Sequence, residues 1–125
     1  VGLTGVDAGL ITARKRPPVQ IKDDAGNERI VDFGHVGDIV KVDPHVIQTL
    51  LDAGLVPVIG SLAGDDSGAI YNINADTLAE ALAVALRAQK LIFLTGAPGV
   101  LRDVRDPSTL VAFADPDDLG ALLQS

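Results

Sequence analysis

The sequence predicts an α/β domain with a parallel sheet. After residue 43, segments with helical periodicity alternate with short, almost wholly apolar segments typical of strands buried on both faces. Hydrophobic residues make up 47% of the 125, yet only three Phe and one Tyr are aromatic. The core must therefore consist of Leu, Val, Ile and Ala, which suits layered α/β packing. A chain of this length forms one ordinary domain or part of a larger one.

Composition excludes several classes of protein. The chain has no cysteine, which excludes disulfide scaffolds, zinc fingers, iron–sulfur clusters and cysteine nucleophiles. Seventeen acidic residues against ten basic ones give a net charge of −7, which repels nucleic-acid phosphates. No apolar run approaches the ~18 residues of a membrane helix, and the first residues lack the pattern of a signal peptide. We therefore expect a soluble, cytoplasmic protein with no nucleic-acid or membrane partner.

Residues 1–42 predict a region rich in β-hairpins. The apolar segments 1–4 and 10–13 flank Asp7-Ala8-Gly9, which suits a turn, so residues 1–16 are predicted to form one hairpin. Residues 19–22 alternate apolar and polar side chains, and residues 29–33 follow a polar turn. These two segments predict a second pair of strands.

Residues 43–125 predict alternating helices and strands. Asp43 and Pro44 are typical of a helix start, and Gly54 of its end. The predicted elements that follow are a buried strand over 55–59, a helix over 77–88 with Leu78, Ala81, Leu82, Ala85 and Leu86 facing inward, a buried strand over 90–94, a short strand over 110–113 and a helix from Asp115 and Pro116. Because no linker divides them, residues 1–125 are predicted to form a single, partial domain.

Polar residues lead into the helix predicted at residue 77. Ligands of an open parallel sheet gather where strands end and loops lead into helices. Asn72, Asn74 and Asp76 alternate, so their side chains would share one side of an extended backbone. Two amides and a carboxylate beside a helix N-terminus could hold a carboxylate or phosphate ligand and orient a lysine. The alternative is helix capping, since Thr77 and Glu80 fit a capping box.

A glycine-rich loop follows the strand predicted at 90–94. In residues 95–101, Gly96 and Gly99 allow a ligand to approach the backbone closely and Pro98 stiffens the turn, which suits a nucleotide phosphate or ribose. The loop lacks the motifs of P-loops and of dinucleotide-binding folds, and an ordinary turn after a strand explains it as well. His35 and His45 belong to no metal-ligand motif, so no metal site is predicted.

Four segments, in order, resemble acetylglutamate kinases, the arginine-pathway members of the amino acid kinase family. They are residues 5–15, 31–38, 71–77 and 94–101. The stretch Tyr-Asn-Ile-Asn-Ala-Asp at 71–76 is the most discriminating, because aspartate, glutamate and uridylate kinases keep the Asp before a similar helix but not this Asn pattern. The resemblance covers essentially the whole chain.

The resemblance implies a fold, a reaction and ligands. The family's fold is a three-layer α/β/α sandwich around a mainly parallel open sheet, here partial and with the N-terminal hairpin region. Its reaction moves the γ-phosphoryl group of ATP, bound with Mg²⁺, onto the side-chain carboxylate of N-acetyl-L-glutamate in arginine biosynthesis. Two lysines and magnesium stabilise the charge that phosphoryl transfer develops. A homo-oligomer is also implied.

The resemblance assigns roles to residues of both loops. Asn72 and Asn74 would bind acetylglutamate, and Asp76 would be the catalytic-site carboxylate that orients the lysines. The nucleotide-binding residues would be Thr95, Gly96, Ala97, Pro98, Gly99, Val100 and Leu101.

Two departures from the family pattern change these expectations. The family's N-terminal Lys-Gly-Gly strand, its other substrate-binding glycines and arginine, and its late Gly-Gly-Met-x-x-Lys segment are absent. We therefore expect the middle and nucleotide-side portion of a longer kinase, inactive alone. Gly96 stands where the family usually has Asp. Two other functions stay open: a kinase for a related acyl-amino acid, and a non-catalytic ligand-binding or regulatory module derived from the kinase fold.

Overall fold

A computed structural model of the chain describes residues 1–22 and 26–122. The chain divides into two compact units, residues 1–91 and the residues from 92 onward, which are described separately. The strands and helices are β1 (Gly2–Thr4), β2 (Ile11–Lys15), β3 (Val19–Lys22), β4 (Glu28–Val31), β5 (Gly37–Val42), α1 (His45–Asp52), β6 (Val58–Gly60), β7 (Leu62–Gly64), β8 (Ile70–Asn72), α2 (Ala75–Ala85) and α3 (Pro116–Leu122).

The first unit contains parallel and antiparallel strand pairs. Its four-stranded sheet has the order β5-β2-β7-β8, in which β2 and β7 run parallel and the other neighbours antiparallel. β1 and β6 form a parallel pair, and β3 and β4 an antiparallel hairpin. This hairpin confirms the second predicted strand pair, although part of its predicted turn, residues 23–25, lies outside the described residues.

The buried core is aliphatic, as the composition predicts, with Tyr71 as its one aromatic member among the described residues. Its members lie in or directly beside β2, α1, β7, β8 and α2: Leu10, Ile11, Ala13, Ile47, Ala63, Tyr71, Ile73 and Leu78. The predicted inward face of α2 is confirmed, because Leu78 is buried and the other four residues of that face are half-buried. The core therefore packs α1 and α2 against the four-stranded sheet.

The hairpin predicted for residues 1–16 is wrong, because β1 and β2 pair with other strands. Gly2 lies opposite Val58 of β6, and Ile11 lies opposite Val42 of β5. Between β1 and β2, a 3₁₀ turn at Asp7–Gly9 places two consecutive residues at positive φ. After this turn the chain enters β2, which belongs to a different sheet from β1. The partner of β1 comes from more than fifty residues further along, which local turn chemistry cannot encode.

Helix α1 begins one residue later than predicted. It starts at His45, whose backbone N–H donates to the Asp43 carboxylate at 3.0 Å. Gly54 follows its end at a φ of +74°, in agreement with the predicted stop. The following strand, β6, is shorter than predicted and is not buried, since Val58 is 66% exposed. Among the described residues, β6 is hydrogen-bonded to β1 alone.

In the second unit, the predicted helix is confirmed and the predicted strands are not. α3 begins at Pro116, directly after Asp115. Residues 92–94 form no strand, and neither do Lys90 and Leu91 before them. Leu94 is 96% exposed. The strand predicted at 110–113 reduces to a single bridge between Leu101 and Leu110. An apolar run becomes a buried strand only when neighbouring strands pair with it, and the described residues provide none here.

Candidate functional site

The first candidate site lies where β8 leads into α2. Tyr71 and Ile73 are buried, whereas Asn72 and Asn74 are exposed, so the predicted alternation holds over these four residues. The backbone is held from two directions: the Asn72 N–H donates to the His35 carbonyl at 2.7 Å, and the Ile73 N–H donates to the Ser61 carbonyl at 2.9 Å. The two amide side chains therefore project from a fixed piece of backbone.

Asn74 is the N-cap of α2. Its backbone is extended, at φ −60° and ψ 127°, and its side-chain oxygen accepts from the Thr77 N–H at 3.0 Å and from the Thr77 hydroxyl at 3.2 Å. The cap is thus Asn74 rather than the Thr77–Glu80 box. The Asn74 amide nitrogen donates to no other residue in the described part of the chain. One side chain can therefore cap the helix and still donate to a ligand.

Asp76 lies one step further, inside α2. The backbone is helical from Ala75, so the expectation that Asp76 shares one side of an extended strand with Asn72 and Asn74 is wrong. Its exposed carboxylate stands in the first turn of the helix, where the helix dipole favours a negative charge. Within residues 1–22 and 26–122, no Lys or Arg lies within ion-pair distance of it.

A pocket of about 180 Å³ opens beside Asn74. Asn74 and Thr77 line it together with Gly37, Asp38 and Arg16. The Nε group of Arg16 donates to one carboxylate oxygen of Asp38 at 2.8 Å. The Nη2 atom of Arg16 lies 2.7 Å from the same oxygen.

Arg14, Lys15 and Arg16 form a basic run whose sequence is compatible with contact to an anion or with a solvated strand end. The structure places the Arg16 guanidinium against the Asp38 carboxylate and 5.9 Å from the centre of the Phe33 ring. The sequence feature that points to this role of Arg16 is the presence of its two partners, Asp38 and Phe33, within the 31–38 segment. Because Asp38 compensates its charge, Arg16 offers the pocket a fixed set of N–H donors rather than a free cation.

The loop between β7 and β8 is organised by Asp65. One carboxylate oxygen accepts from the Ser67 hydroxyl at 2.6 Å, the Ser67 N–H at 2.9 Å and the Ala69 N–H at 3.0 Å. The other accepts from the Tyr71 hydroxyl at 2.6 Å. The hydroxyls of Ser67 and Tyr71, in that order, lower the pKa of Asp65 to about 2. The same contact raises the pKa of Tyr71, whose hydroxyl donates to the carboxylate.

The second candidate site is the loop at 95–101, in the second unit. Residues 95–100 are exposed. The Thr95 hydroxyl donates to the Ala97 carbonyl at 3.0 Å, and the Val111 N–H donates to the Val100 carbonyl at 2.8 Å. These contacts shape an exposed loop.

The two glycines of this loop differ. Gly99 has a φ of +145°, a backbone conformation that favours glycine, and a Cβ there would lie 2.9 Å from the movable Leu110 Cδ1 atom. Gly96 has no such backbone constraint, and a Cβ there would have no heavy atom within 4 Å. A side chain is therefore sterically possible at residue 96.

Among the described residues, no three His, Cys, Asp or Glu side chains gather into a group that could hold a metal ion. No helix in this part of the chain is long and apolar enough to span a bilayer.

Comparison with known proteins gives consistent matches. The profile of the amino acid kinase family matches residues 1–123. The chain is 55% identical over 123 residues to an acetylglutamate kinase of Myxococcus xanthus, covering 98% of this chain and 40% of that protein. It is 47% identical over 122 residues to an acetylglutamate kinase of Methanopyrus kandleri, covering 98% of this chain and 47% of that protein.

A solved structure gives the same fold. The N-acetylglutamate synthase from Neisseria gonorrhoeae, complexed with coenzyme A and L-arginine, matches with a TM-score of 0.59 and 25% identity over 91% of this chain and 27% of that one. The chain thus spans less than half the length of these relatives. The predicted α/β class and the resemblance drawn from the four segments are both confirmed. Because the family profile covers nearly every residue, the chain belongs to the amino acid kinase family.

Proposed function

We propose that the chain forms the acetylglutamate- and nucleotide-binding part of an ATP-dependent acetylglutamate kinase. The kinase would transfer the γ-phosphoryl group of ATP to the side-chain carboxylate of N-acetyl-L-glutamate in arginine biosynthesis. The observation that carries the proposal is the 55% and 47% identity to proteins named acetylglutamate kinase over 98% of the chain. A cytoplasmic location stays a prediction from composition, and a homo-oligomeric state stays a prediction from the resemblance.

Asn72 and Asn74 are proposed to bind acetylglutamate. Both amides stand exposed on one side of the backbone that ends β8. The Asn74 side-chain oxygen is engaged in the cap, which leaves its amide N–H groups to donate to a carboxylate or acyl oxygen. The N-terminus of α2 adds partial positive charge to the same place. This combination favours an anionic, amide-bearing substrate.

Asp76 is proposed to orient the lysines that stabilise the transferred phosphoryl group. Phosphoryl transfer depends on positioned positive charge, and a carboxylate in the first turn of α2 can hold an ammonium group by charge-assisted hydrogen bonds. The lysine motifs of the family are absent from this sequence. Asp76 therefore needs groups from elsewhere in the kinase.

The loop at 95–101 is proposed to contact ATP, which enters as its Mg²⁺ complex. The exposed backbone and the open space at Gly96 support this role. Glycine offers an N–H donor but no carboxylate to reach a ribose hydroxyl or a lysine. We therefore propose that contacts with the nucleotide are made mainly by backbone groups.

Two other functions make different predictions. A kinase for a related acyl-amino acid would use the same loops and differ in which acyl group it accepts. A non-catalytic module gains support from the match to a synthase whose structure contains coenzyme A and L-arginine. Calorimetric titration of the chain with L-arginine, N-acetylglutamate and ATP discriminates them. Binding of L-arginine without binding of either kinase substrate would favour the module.

A chimera provides the test of the kinase. This chain replaces the matching 123 residues of the Myxococcus xanthus relative, and ADP release is measured with Mg²⁺–ATP, with and without N-acetylglutamate. We expect acetylglutamate-dependent turnover, strongly reduced by Asn72→Ala and unaffected by Gln48→Ala. Gln48 is a matched control because its amide lies on α1 and donates to Asp52. A folded chimera without acetylglutamate-dependent turnover would contradict the proposal.

A further inference from the structure

We propose that Asp65 is a positioning residue for Asn72, acting through the hydroxyl of Tyr71. The inference rests on the proposed function, because it concerns the acetylglutamate site. Asp65 itself lies in the loop before β8 and contacts no residue of α2 in the described part of the chain. Its effect would be to fix β8, and with it the place where Asn72 meets substrate.

The first step is the set of contacts made by the Asp65 carboxylate. The three bonds to Ser67 and Ala69 close the loop on itself and need no further function. The bond to the Tyr71 hydroxyl is different in kind, because it leaves the turn and joins the carboxylate to a core side chain of β8. The loop is thereby connected to the strand that carries Asn72.

The second step is the packing of Tyr71. Its side chain is buried, and it presses against β5 so closely that a Cβ at Gly37 would lie 2.7 Å from the Tyr71 Cβ. Gly37 thus limits the ring on one side, while Asp65 holds the hydroxyl at the far end of the ring. With both ends fixed, the ring has little freedom to rotate or slide.

The third step connects Tyr71 to Asn72. Successive side chains of a strand point to opposite faces, so the inward placement of Tyr71 sets the outward placement of Asn72. The Asn72 N–H donates to the His35 carbonyl at 2.7 Å, and Asn72 lies opposite Leu62 in the strand register. Movement of the Tyr71 ring would shift this backbone and displace the amide.

The variants that test the inference separate the two kinds of Asp65 contact. Tyr71→Phe removes only the hydroxyl and leaves the ring against Gly37. Ser67→Ala is the matched control, since it removes one hydroxyl bond to the same carboxylate without touching Tyr71. Asp65→Ala removes all four bonds, and the double variant Asp65→Ala/Tyr71→Phe asks whether the two residues act as one pair.

The first measurement uses the 125-residue chain and does not depend on kinase activity. Amide hydrogen exchange and the side-chain NH₂ resonances of Asn72 are followed by NMR. We expect Tyr71→Phe to accelerate exchange of the Asn72 N–H about threefold or more and to shift its side-chain signals, whereas Ser67→Ala leaves both unchanged. Unchanged Asn72 signals in Tyr71→Phe would overturn the inference.

The second measurement uses the chimera. Tyr71→Phe should raise the KM for N-acetylglutamate about three- to tenfold, less than the loss of a hydrogen bond to a charged group would cause, because Asn72 is displaced and not removed. The KM for ATP and kcat should stay within about twofold. The double variant should be no worse than Asp65→Ala. Equal changes in all three constants, or the same KM effect in Ser67→Ala, would reduce Asp65 to a loop stabiliser. If the chimera is inactive with its wild-type residues, the proposed kinase function is contradicted. The NMR measurement then still tests whether Asp65 positions Asn72.

Discussion

Asn74 combines two tasks that a substitution can separate. Its oxygen caps α2, and its amide nitrogen is proposed to donate to acetylglutamate. Asn74→Asp keeps a capping oxygen and replaces the donor by a negative charge, whereas Asn74→Ala removes both. Capping alone would make Asp a harmless replacement, since Asp and Asn are equally good N-caps.

We therefore predict opposite effects of Asn74→Asp on stability and on substrate binding. The melting temperature of the chain should stay the same or rise slightly, while Asn74→Ala loses about 1 kcal/mol of stability. In the chimera, Asn74→Asp should raise the KM for N-acetylglutamate at least about tenfold, by the loss of a hydrogen bond and the repulsion of two carboxylates. An unchanged KM would leave Asn74 as a helix cap only.

Asp76 gives a prediction on kcat. Because Asn74 rather than Asp76 caps α2, Asp76→Asn should change the melting temperature by little. If Asp76 orients the lysines, kcat of the chimera should fall about 10²-fold or more. Steady-state kinetics and thermal unfolding of the same preparations provide the check. A kcat within twofold of the parent would mean that Asp76 serves only the helix dipole.

Gly96 stands where the resemblance to acetylglutamate kinases implies an Asp. Since Gly96 lies outside the positive-φ region and has open space at its Cβ position, Gly96→Asp should fold without strain. We predict that it tightens ATP binding to the chimera about tenfold, because a carboxylate adds a hydrogen bond of about 1.5–3 kcal/mol.

Calorimetric titration of ATP compares the parent with this variant. Gly99→Asp is the contrasting variant, because the φ of +145° at residue 99 is a conformation that side chains rarely adopt, so that it should destabilise the loop. Unchanged or weaker ATP affinity in a folded Gly96→Asp protein would place the nucleotide elsewhere.

At the scale of elements, the β7–β8 loop has a defined pH dependence. The pKa of Asp65 is lowered to about 2, below its ordinary value of 3.8. A lowered pKa in the folded state means that the ionised carboxylate stabilises the fold above pH 3.8, and that this contribution is lost as the pH falls toward 2. The loop should therefore lose its stabilisation by Asp65 only in strong acid.

Thermal unfolding from pH 7 to pH 2 provides the measurement. We predict that the gap in melting temperature between the wild-type chain and Asp65→Ala is constant above about pH 5 and closes toward pH 2. Asp66→Ala serves as the control, because Asp66 is the exposed neighbour and, within the described residues, its side chain makes no hydrogen bond or ion pair. A gap of equal size at pH 7 and pH 2 would show that the Asp65 charge contributes nothing.

Helices were more predictable than strand partners. The starts of α1 and α3 follow from Asp-Pro pairs within one residue, because capping is a local interaction. α2 was predicted two residues late, since Asn74 competes with Thr77 as the cap. The pairing of β1 with β6 was missed, because a strand partner far along the chain is selected by tertiary packing.

The candidate residues show the same division. The segment Tyr-Asn-Ile-Asn-Ala-Asp makes Asn72 and Asn74 candidates, and the observed exposure of their side chains follows from strand alternation. Arg16 and Asp65 were not predicted, because their contacts with Asp38 and Tyr71 depend on how strands and loops fold together. Sequence pattern thus located the backbone of the first site better than the side chains around it.

At the scale of the whole molecule, the chain covers 40% and 47% of two relatives named acetylglutamate kinase. Strongly apolar residues of the second unit are open to solvent, among them Leu94 and Phe113, the latter 85% exposed. We predict that the 125-residue chain alone shows no kinase activity, because the loss of each charge-stabilising group commonly costs ~10²–10³ in rate. A coupled ADP assay at high protein concentration checks this, and turnover like that of an ordinary kinase would contradict it.

The central claim is that these residues form part of an acetylglutamate kinase, and the most direct measurement is the initial rate of ADP release by the chimera. The rate is recorded at saturating Mg²⁺–ATP with N-acetylglutamate, with glutamate and without acceptor. We predict a rate within about tenfold of the Myxococcus xanthus parent with N-acetylglutamate, and background rates in the other two reactions. A chimera that unfolds cooperatively but releases ADP equally with and without N-acetylglutamate would contradict the claim.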